Sequence, residues 1–182
     1  MTKDKELVGG YAPDFELPGI DKQVYHLGRY LEQYKAIAVI FISNQCPVVA
    51  QYLDRIKKIQ EEFNNQGFSF IAINSYDSGN STQESLESMQ LFAEKNNLSF
   101  PYLKDPTQDV AKTFGITVTP EVFLLDKESV IRYAGAIDDN PDTPNSVTKS
   151  YLQDSITNLL SGQEIATTYS KPIGIPMQWR NN

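Results

Sequence analysis

The stretch Ala36-Ile37-Ala38-Val39-Ile40-Phe41-Ile42-Ser43-Asn44-Gln45-Cys46-Pro47 decides how the rest of the chain is read. Its first seven residues are apolar without period-2 alternation and rich in Ile, Val and Phe, the pattern of a strand buried on both faces. The run then stops in three polar residues, the only cysteine and a proline. Pro47 suits the first turn of a helix, where a missing N–H is of no consequence. Val49, Tyr52, Leu53, Ile56, Ile59 and Phe63 follow at helical spacing. Cys46 is therefore expected at the mouth of a strand–turn–helix unit, beside the free N–H groups and positive dipole end of the helix. Such a place favours the thiolate, which is the nucleophilic form. A lone cysteine is more often a small buried hydrophobe than a catalyst, so placement rather than identity makes Cys46 a candidate.

Outward from this unit the chain alternates strands and helices. Upstream, residues 8–20 carry Gly9-Gly10, Pro13 and Pro18, and a short strand at Asp14 to Leu17 is expected to pair with Gln23 to His26 as a hairpin. Leu27 to Tyr34 reads as a short helix. Downstream, Asn64-Asn65-Gln66-Gly67 closes the cysteine helix, Phe68 to Ser75 reads as a second strand, and a helix is expected over about Thr82 to Asn97, with Leu86, Met89, Phe92 and Ala93 inward. Phe100 to Leu103 is extended, Gln108 to Phe114 a short helix ended by Gly115, and Glu121 to Leu125 an apolar strand with Ser129 to Ala134 as its hairpin partner. A last helix is expected over about Ser146 to Leu160, with Val147, Tyr151, Ile156 and Leu159 on one face. Beyond it lies a tail without periodicity. This order predicts parallel neighbours with right-handed crossovers in one α/β domain over residues 1–182, with an N-terminal extension carrying the hairpin (1–34) and a C-terminal arm (162–182).

Composition narrows the function. A net charge of −7 with scattered lysines argues against a nucleic-acid partner. No segment approaches the roughly 18 consecutive apolar residues of a membrane span. The N-terminus begins charged, without an apolar segment of signal-peptide length, so a cytoplasmic location is the expectation. One cysteine rules out an intramolecular disulfide and a thiolate metal cluster within one chain. Its oxidised forms are a sulfenic acid, a mixed disulfide or an intermolecular bridge. His26, the sole histidine, is expected at the surface or edge of the hairpin, and no imidazole-based metal site can be assembled. Asp138, Asn140 and Asp142 have the spacing that opens a calcium loop but lack its glycine and distal glutamate, so a solvated turn is expected. No metal or cofactor is implied.

Taken in order, Ala12-Pro13-Asp14-Phe15, Asn44 with Cys46-Pro47, Ile73-Asn74-Ser75, Phe100-Pro101-Tyr102-Leu103, Thr119-Pro120-Glu121-Val122-Phe123, Gly135 to Asn140 and Lys171-Pro172-Ile173-Gly174 resemble the peroxiredoxin-like branch of the thioredoxin superfamily (the alkyl hydroperoxide reductase and thiol-specific antioxidant type). The resemblance covers nearly the whole chain. It implies a thioredoxin-like fold: a central mixed β-sheet flanked by helices, with the N-terminal hairpin and the extended C-terminal tail. It also implies a cis peptide at Thr119-Pro120 facing the cysteine, where Thr119 offers backbone hydrogen bonds to a thiol substrate; Asn44, Pro47, Thr119 and Pro120 would then shape the substrate groove.

Two departures limit what the resemblance implies. Members of the branch typically carry Cys-x-x-Cys, and here the first position is Ser43. A further cysteine usually follows the Lys-Pro-x-Gly glycine, and here that position is Ile175. Ser43-Asn44-Gln45-Cys46-Pro47 also resembles the Thr-x-x-Cys-Pro centre of true peroxiredoxins, with Ser43 as the hydroxyl beside the reacting sulfur. The proline expected seven residues before the cysteine is Val39, however, and the arginine that pairs with the thiolate would fall near Pro120. Arg132 and Arg180 are the distant alternatives, and Met177 with Trp179 reads as an apolar clasp for the arm. The resemblance thus implies a thiol oxidoreductase with Cys46 and Ser43 as its catalytic pair. Its substrate would be a peroxide, or a protein or low-molecular-weight thiol, with an external thiol reductant, in a monomer or homodimer. The alternative is a redox-inactive binding or scaffold module that has lost the dithiol.

Overall fold

The computed structural model describes residues 1–79 and 81–181. In chain order the elements are α1 (Lys3–Glu6), β1 (Glu16–Pro18), β2 (Val24–His26), α2 (Leu27–Leu31), β3 (Ala36–Phe41), α3 (Pro47–Phe63), β4 (Phe68–Asn74), α4 (Leu86–Asn96), β5 (Tyr102–Lys104), α5 (Asp109–Phe114), β6 (Val118–Thr119), β7 (Glu121–Asp126), β8 (Ile131–Gly135), α6 (Tyr151–Leu160) and β9 (Ile175–Pro176).

Strand β3 is central because nothing in it can face water. It is the middle of a five-stranded sheet ordered β5-β4-β3-β7-β8, parallel to β4 and antiparallel to β7. Its side chains divide by period 2. Ala36, Ala38 and Ile40, continued by Ile42 just past the strand, join the core under α3, α4 and α6, while Ile37, Val39 and Phe41 join a second core with Leu27, Phe114 and Phe123. Each fully buried Ile, Val or Phe contributes about 1.5–3 kcal/mol. The six apolar residues expected inward on α3 are all buried. Gln60 is buried with them, and its Oε1 accepts the Phe70 N–H at 2.9 Å. That N–H faces the outer edge of β4, which β5 covers only from Ala72 to Asn74.

Three expectations are corrected by side-chain hydrogen bonds. The helix expected over 82–97 is two pieces: Thr82–Glu84 is a separate 3-10 turn, and Ser85, in an extended conformation, caps α4 by accepting the Ser88 N–H. The last helix starts at Tyr151 rather than Ser146, because the Asp139 carboxylate takes the Thr148 N–H and hydroxyl and holds that segment extended. The loop at 138–142 is not a solvated turn at its first residue. Asp138 is buried, accepting from Tyr52 Oη (2.7 Å), Arg55 Nη1 (2.8 Å) and the Asn140 N–H (2.9 Å). His26 lies at the end of the β1–β2 hairpin, partly exposed, with Nε2 3.2 Å from Asp14 Oδ2.

The C-terminal arm is ordered, since its backbone finds partners. β9 pairs antiparallel with β6, Thr119 opposite Ile175 and Val118 opposite Pro176. The Met177 N–H donates to Thr117 O (2.9 Å) and the Ser170 N–H to Ala134 O (3.1 Å). Two glycines allow this approach: a Cβ on Gly174 would lie 2.2 Å from Thr119 O, and one on Gly135 would lie 1.8 Å from Ser170 O. Met177 is buried, whereas Trp179 is 40% exposed, so Met177 alone serves as the clasp.

Candidate active site around Cys46

Cys46 is the N-cap residue of α3, with Pro47 at the first helical position. Its side chain is 6% exposed. The Sγ–H donates to Thr119 O across 3.3 Å, and the Thr119–Pro120 peptide is cis. Strand ends β3 and β7 are neighbours in the sheet, so the cysteine turn and the proline turn meet at one edge.

The turn before the cysteine is held by Glu84, a buried residue that sequence patterning did not single out. Its carboxylate accepts the Asn44 N–H (Oε2, 3.0 Å), the Gln45 N–H (Oε1, 3.0 Å) and Asn74 Nδ2 (Oε2, 2.7 Å). The break at Ser85 turns Glu84 inward. Beneath it, the buried Lys104 Nζ donates to Tyr76 O (2.6 Å) and Glu84 O (2.9 Å). Burial lowers the Lys104 pKa, opposed by the charges of Glu84, Asp105 and Asp77.

The expected groove residues separate into two sets. Asn44 does not line the cleft: its Nδ2 donates to Gln83 O (2.8 Å) and its Oδ1 accepts from Tyr102 Oη (2.7 Å), so it serves the scaffold. Ser43 and Pro47 do line it, with Cys46, Gln45, Tyr76, Ser81, Glu84, Ile175 and Gln178, around a volume of about 200 Å³. Thr119 contributes its carbonyl, and its buried hydroxyl lies beside the Tyr76 phenol. Tyr76 was not foreseen. Burial raises its phenol pKa, the Thr119 and Ser43 hydroxyls lower it, and charge on Cys46 and Glu84 raises it further. The net direction is upward, so the phenol stays protonated at neutral pH, and it lines the same cleft as the sulfur. Neither alternative arginine serves the thiol. Arg132 pairs with Asp126, which sits opposite Ala36 at the far end of β3, and Arg180 binds Asp77 (3.0 Å) and Pro106 O (2.8 Å). Among the described residues no group of His, Cys, Asp or Glu is arranged to hold a metal ion.

The AhpC/TSA family matches residues 8–134. The chain belongs to that family. The crystal structure of a hypothetical protein SMc02350 from Sinorhizobium meliloti 1021 is similar over 96% of each chain, with 34% identity and a TM-score of 0.89. The thiol-disulfide oxidoreductase ResA of Geobacillus thermodenitrificans is 25% identical over 125 residues, 69% of this chain and 67% of its own. A putative thiol:disulfide interchange protein DsbE from Chlorobium tepidum, 21% identical with a TM-score of 0.65 over 84% of this chain and 97% of its own, shares the thioredoxin-like fold.

This AhpC/TSA chain carries a second buried glutamate on the opposite side of the cleft, immediately after Pro120. Glu121 Oε2 accepts the Thr117 N–H at 2.9 Å, while Oε1 faces the buried Asp4 of α1. Glu121 Oε1 and Asp4 Oδ1 have no donor among the described residues. A proton held between the two carboxyls satisfies both atoms. Burial, then the Asp4 carboxyl, push the Glu121 pKa up to about 9, whereas Asp4, despite its burial, is held below its ordinary value by Glu121 and Thr2. Tyr169 Oη donates to the other Asp4 oxygen at 3.1 Å.

Proposed function

We propose that the chain is a thiol oxidoreductase that works through the single thiol of Cys46, with Ser43 and Tyr76 as its hydroxyl neighbours and a small hydroperoxide as the oxidant. The observation that carries this reading is the cysteine at a helix N-cap, opening into a small cleft that the Ser43 hydroxyl and a protonated phenol also line. The Cys46 thiolate attacks one peroxide oxygen; the S–O bond forms as the O–O bond breaks, and the departing alkoxide takes the Tyr76 proton and leaves as the alcohol. Tyr76 regains a proton from solvent. With no second cysteine, an external thiol condenses with the sulfenic acid, releasing water, and a second external thiol opens the mixed disulfide.

The test is a stoichiometric pulse of hydrogen peroxide followed by a dimedone-type trap and mass spectrometry. The expected result is one adduct on Cys46 and turnover only with added thiol. A folded chain that gives no adduct at any peroxide concentration below denaturing levels is instead a binding module built on this fold, the reading that the Ser43 replacement favours.

A further inference from the structure

Any polypeptide that brings a sulfur to Cys46 must pass the strand edge beside it, because Thr119 O touches the Cys46 sulfur and belongs to β6. An extended chain arriving there would dock by adding a strand, the usual way a bare edge captures a peptide. In this protein that pairing is taken by the chain's own arm. Ile175 lies opposite Thr119, and Ile175 and Gln178 wall the cleft that holds Cys46. The remaining volume, about 200 Å³, admits a small molecule and no peptide strand.

The arm is fastened on both sides of that wall. Upstream, Ser170 bonds Ala134; downstream, the Met177 N–H bonds Thr117 O. Further on, Gln108 Nε2 donates to Gln178 O at 3.1 Å and Gln108 Oε1 accepts the Arg180 N–H at 2.8 Å. We infer that residues 174–178 are the specificity-determining element of the Cys46 site, confining its thiol chemistry to small hydroperoxides and small thiols and excluding polypeptide disulfides. This rests on the reading of Cys46 as a reactive thiol.

The test compares two probes that each leave a mixed disulfide on Cys46 of the full chain: methyl methanethiosulfonate, and a ten-residue cysteine peptide activated as its pyridyl disulfide. In each case the Cys46 thiolate forms a new S–S bond and expels the better leaving group, methanesulfinate or thiopyridone. For the natural chain the folded-to-unfolded rate ratio is expected to be lower for the peptide than for the small probe by at least about 30-fold, since access governs exchange at a covered thiol. Gly174→Val drives a side chain into Thr119 O and unseats the arm. It is expected to raise the ratio of the peptide rate to the small-probe rate about tenfold or more. Met177→Asp, which places a charge where Met177 is buried, gives the same shift if the valine variant does not fold. Equal folded-to-unfolded ratios for the two probes in the natural chain overturn the inference and leave Cys46 a reactive thiol. Silence of both probes on the folded chain, with labelling after unfolding, overturns the reactive-thiol reading as well.

Discussion

The two turns that meet at Cys46 are each anchored by a buried glutamate, and the two glutamates are satisfied in opposite ways. Glu84, behind the cysteine turn, accepts three N–H donors from Asn44, Gln45 and Asn74. Glu121, behind the proline turn, takes its N–H donors from the adjacent Thr117 and Val118 backbone and turns its other oxygen toward the carboxyl of Asp4. The supply of donors decides the difference. Where the backbone brings its N–H groups to a buried carboxylate, the site needs an acceptor; where it brings another carboxyl, the site needs a proton.

The same Glu→Gln substitution at the two positions should therefore have opposite results. Glu84→Gln leaves a single carbonyl oxygen to meet three donors and turns an amide toward at least one of them. A loss of about 3 kcal/mol in urea unfolding is expected; a loss under about 0.5 kcal/mol would mean that this carboxylate does not hold the turn.

Glu121→Gln supplies an amide in place of the shared proton and should be nearly neutral near pH 4.5, where that proton is held by folded and unfolded chain alike. The informative quantity is its pH dependence. Glu121 has a raised pKa in the native state, from 4.5 to about 9, so between those values the folded chain holds a proton that the unfolded chain has lost. Stability from this site is complete below pH 4.5 and falls as pH rises, by up to about 1.4 kcal/mol per pH unit. The lowered Asp4 pKa acts below 3.8, outside the window. Natural chain and variant compared at pH 5, 6, 7 and 8 should diverge progressively, with the variant the more stable of the two at pH 8. Parallel slopes would show that no proton bridges Asp4 and Glu121.

Tyr76→Phe is the smallest change in stability, within about 1 kcal/mol, and it separates holding from chemistry, since the phenol meets the two turns only through the Ser43 and Thr119 hydroxyls while Glu84 and Glu121 hold their backbones. Single-turnover sulfenic acid formation is expected to slow about tenfold or more. An unchanged rate would remove the phenol from the reaction.

Most of the frame was legible because it follows from local periodicity. The apolar run at Ala36 to Ile42, the stripe from Val49 to Phe63 and the Cys-Pro step identify β3, α3 and the cysteine's place at the helix start without tertiary information. The supports of the site were not legible, because each depends on residues distant in sequence. Nothing near Glu84 indicates that Asn44 will need an acceptor 40 residues away; the one local sign is Ser85, whose capping preference breaks the helix there. Asp139 delays α6 through Thr148, and a two-residue strand such as β9 has no period to read. Asn44 was assigned to the groove from the motif, while its amide is committed to Gln83 and Tyr102.

The bond from Gln60 to the Phe70 N–H bears on how copies of this molecule meet one another. β5 is three residues long, so the first half of β4 would present unpaired backbone at the rim of the sheet, a template for another chain to extend. By occupying the Phe70 donor, Gln60 removes one backbone group through which another strand could join that rim, where Phe68, Ser69 and Phe70 are themselves buried.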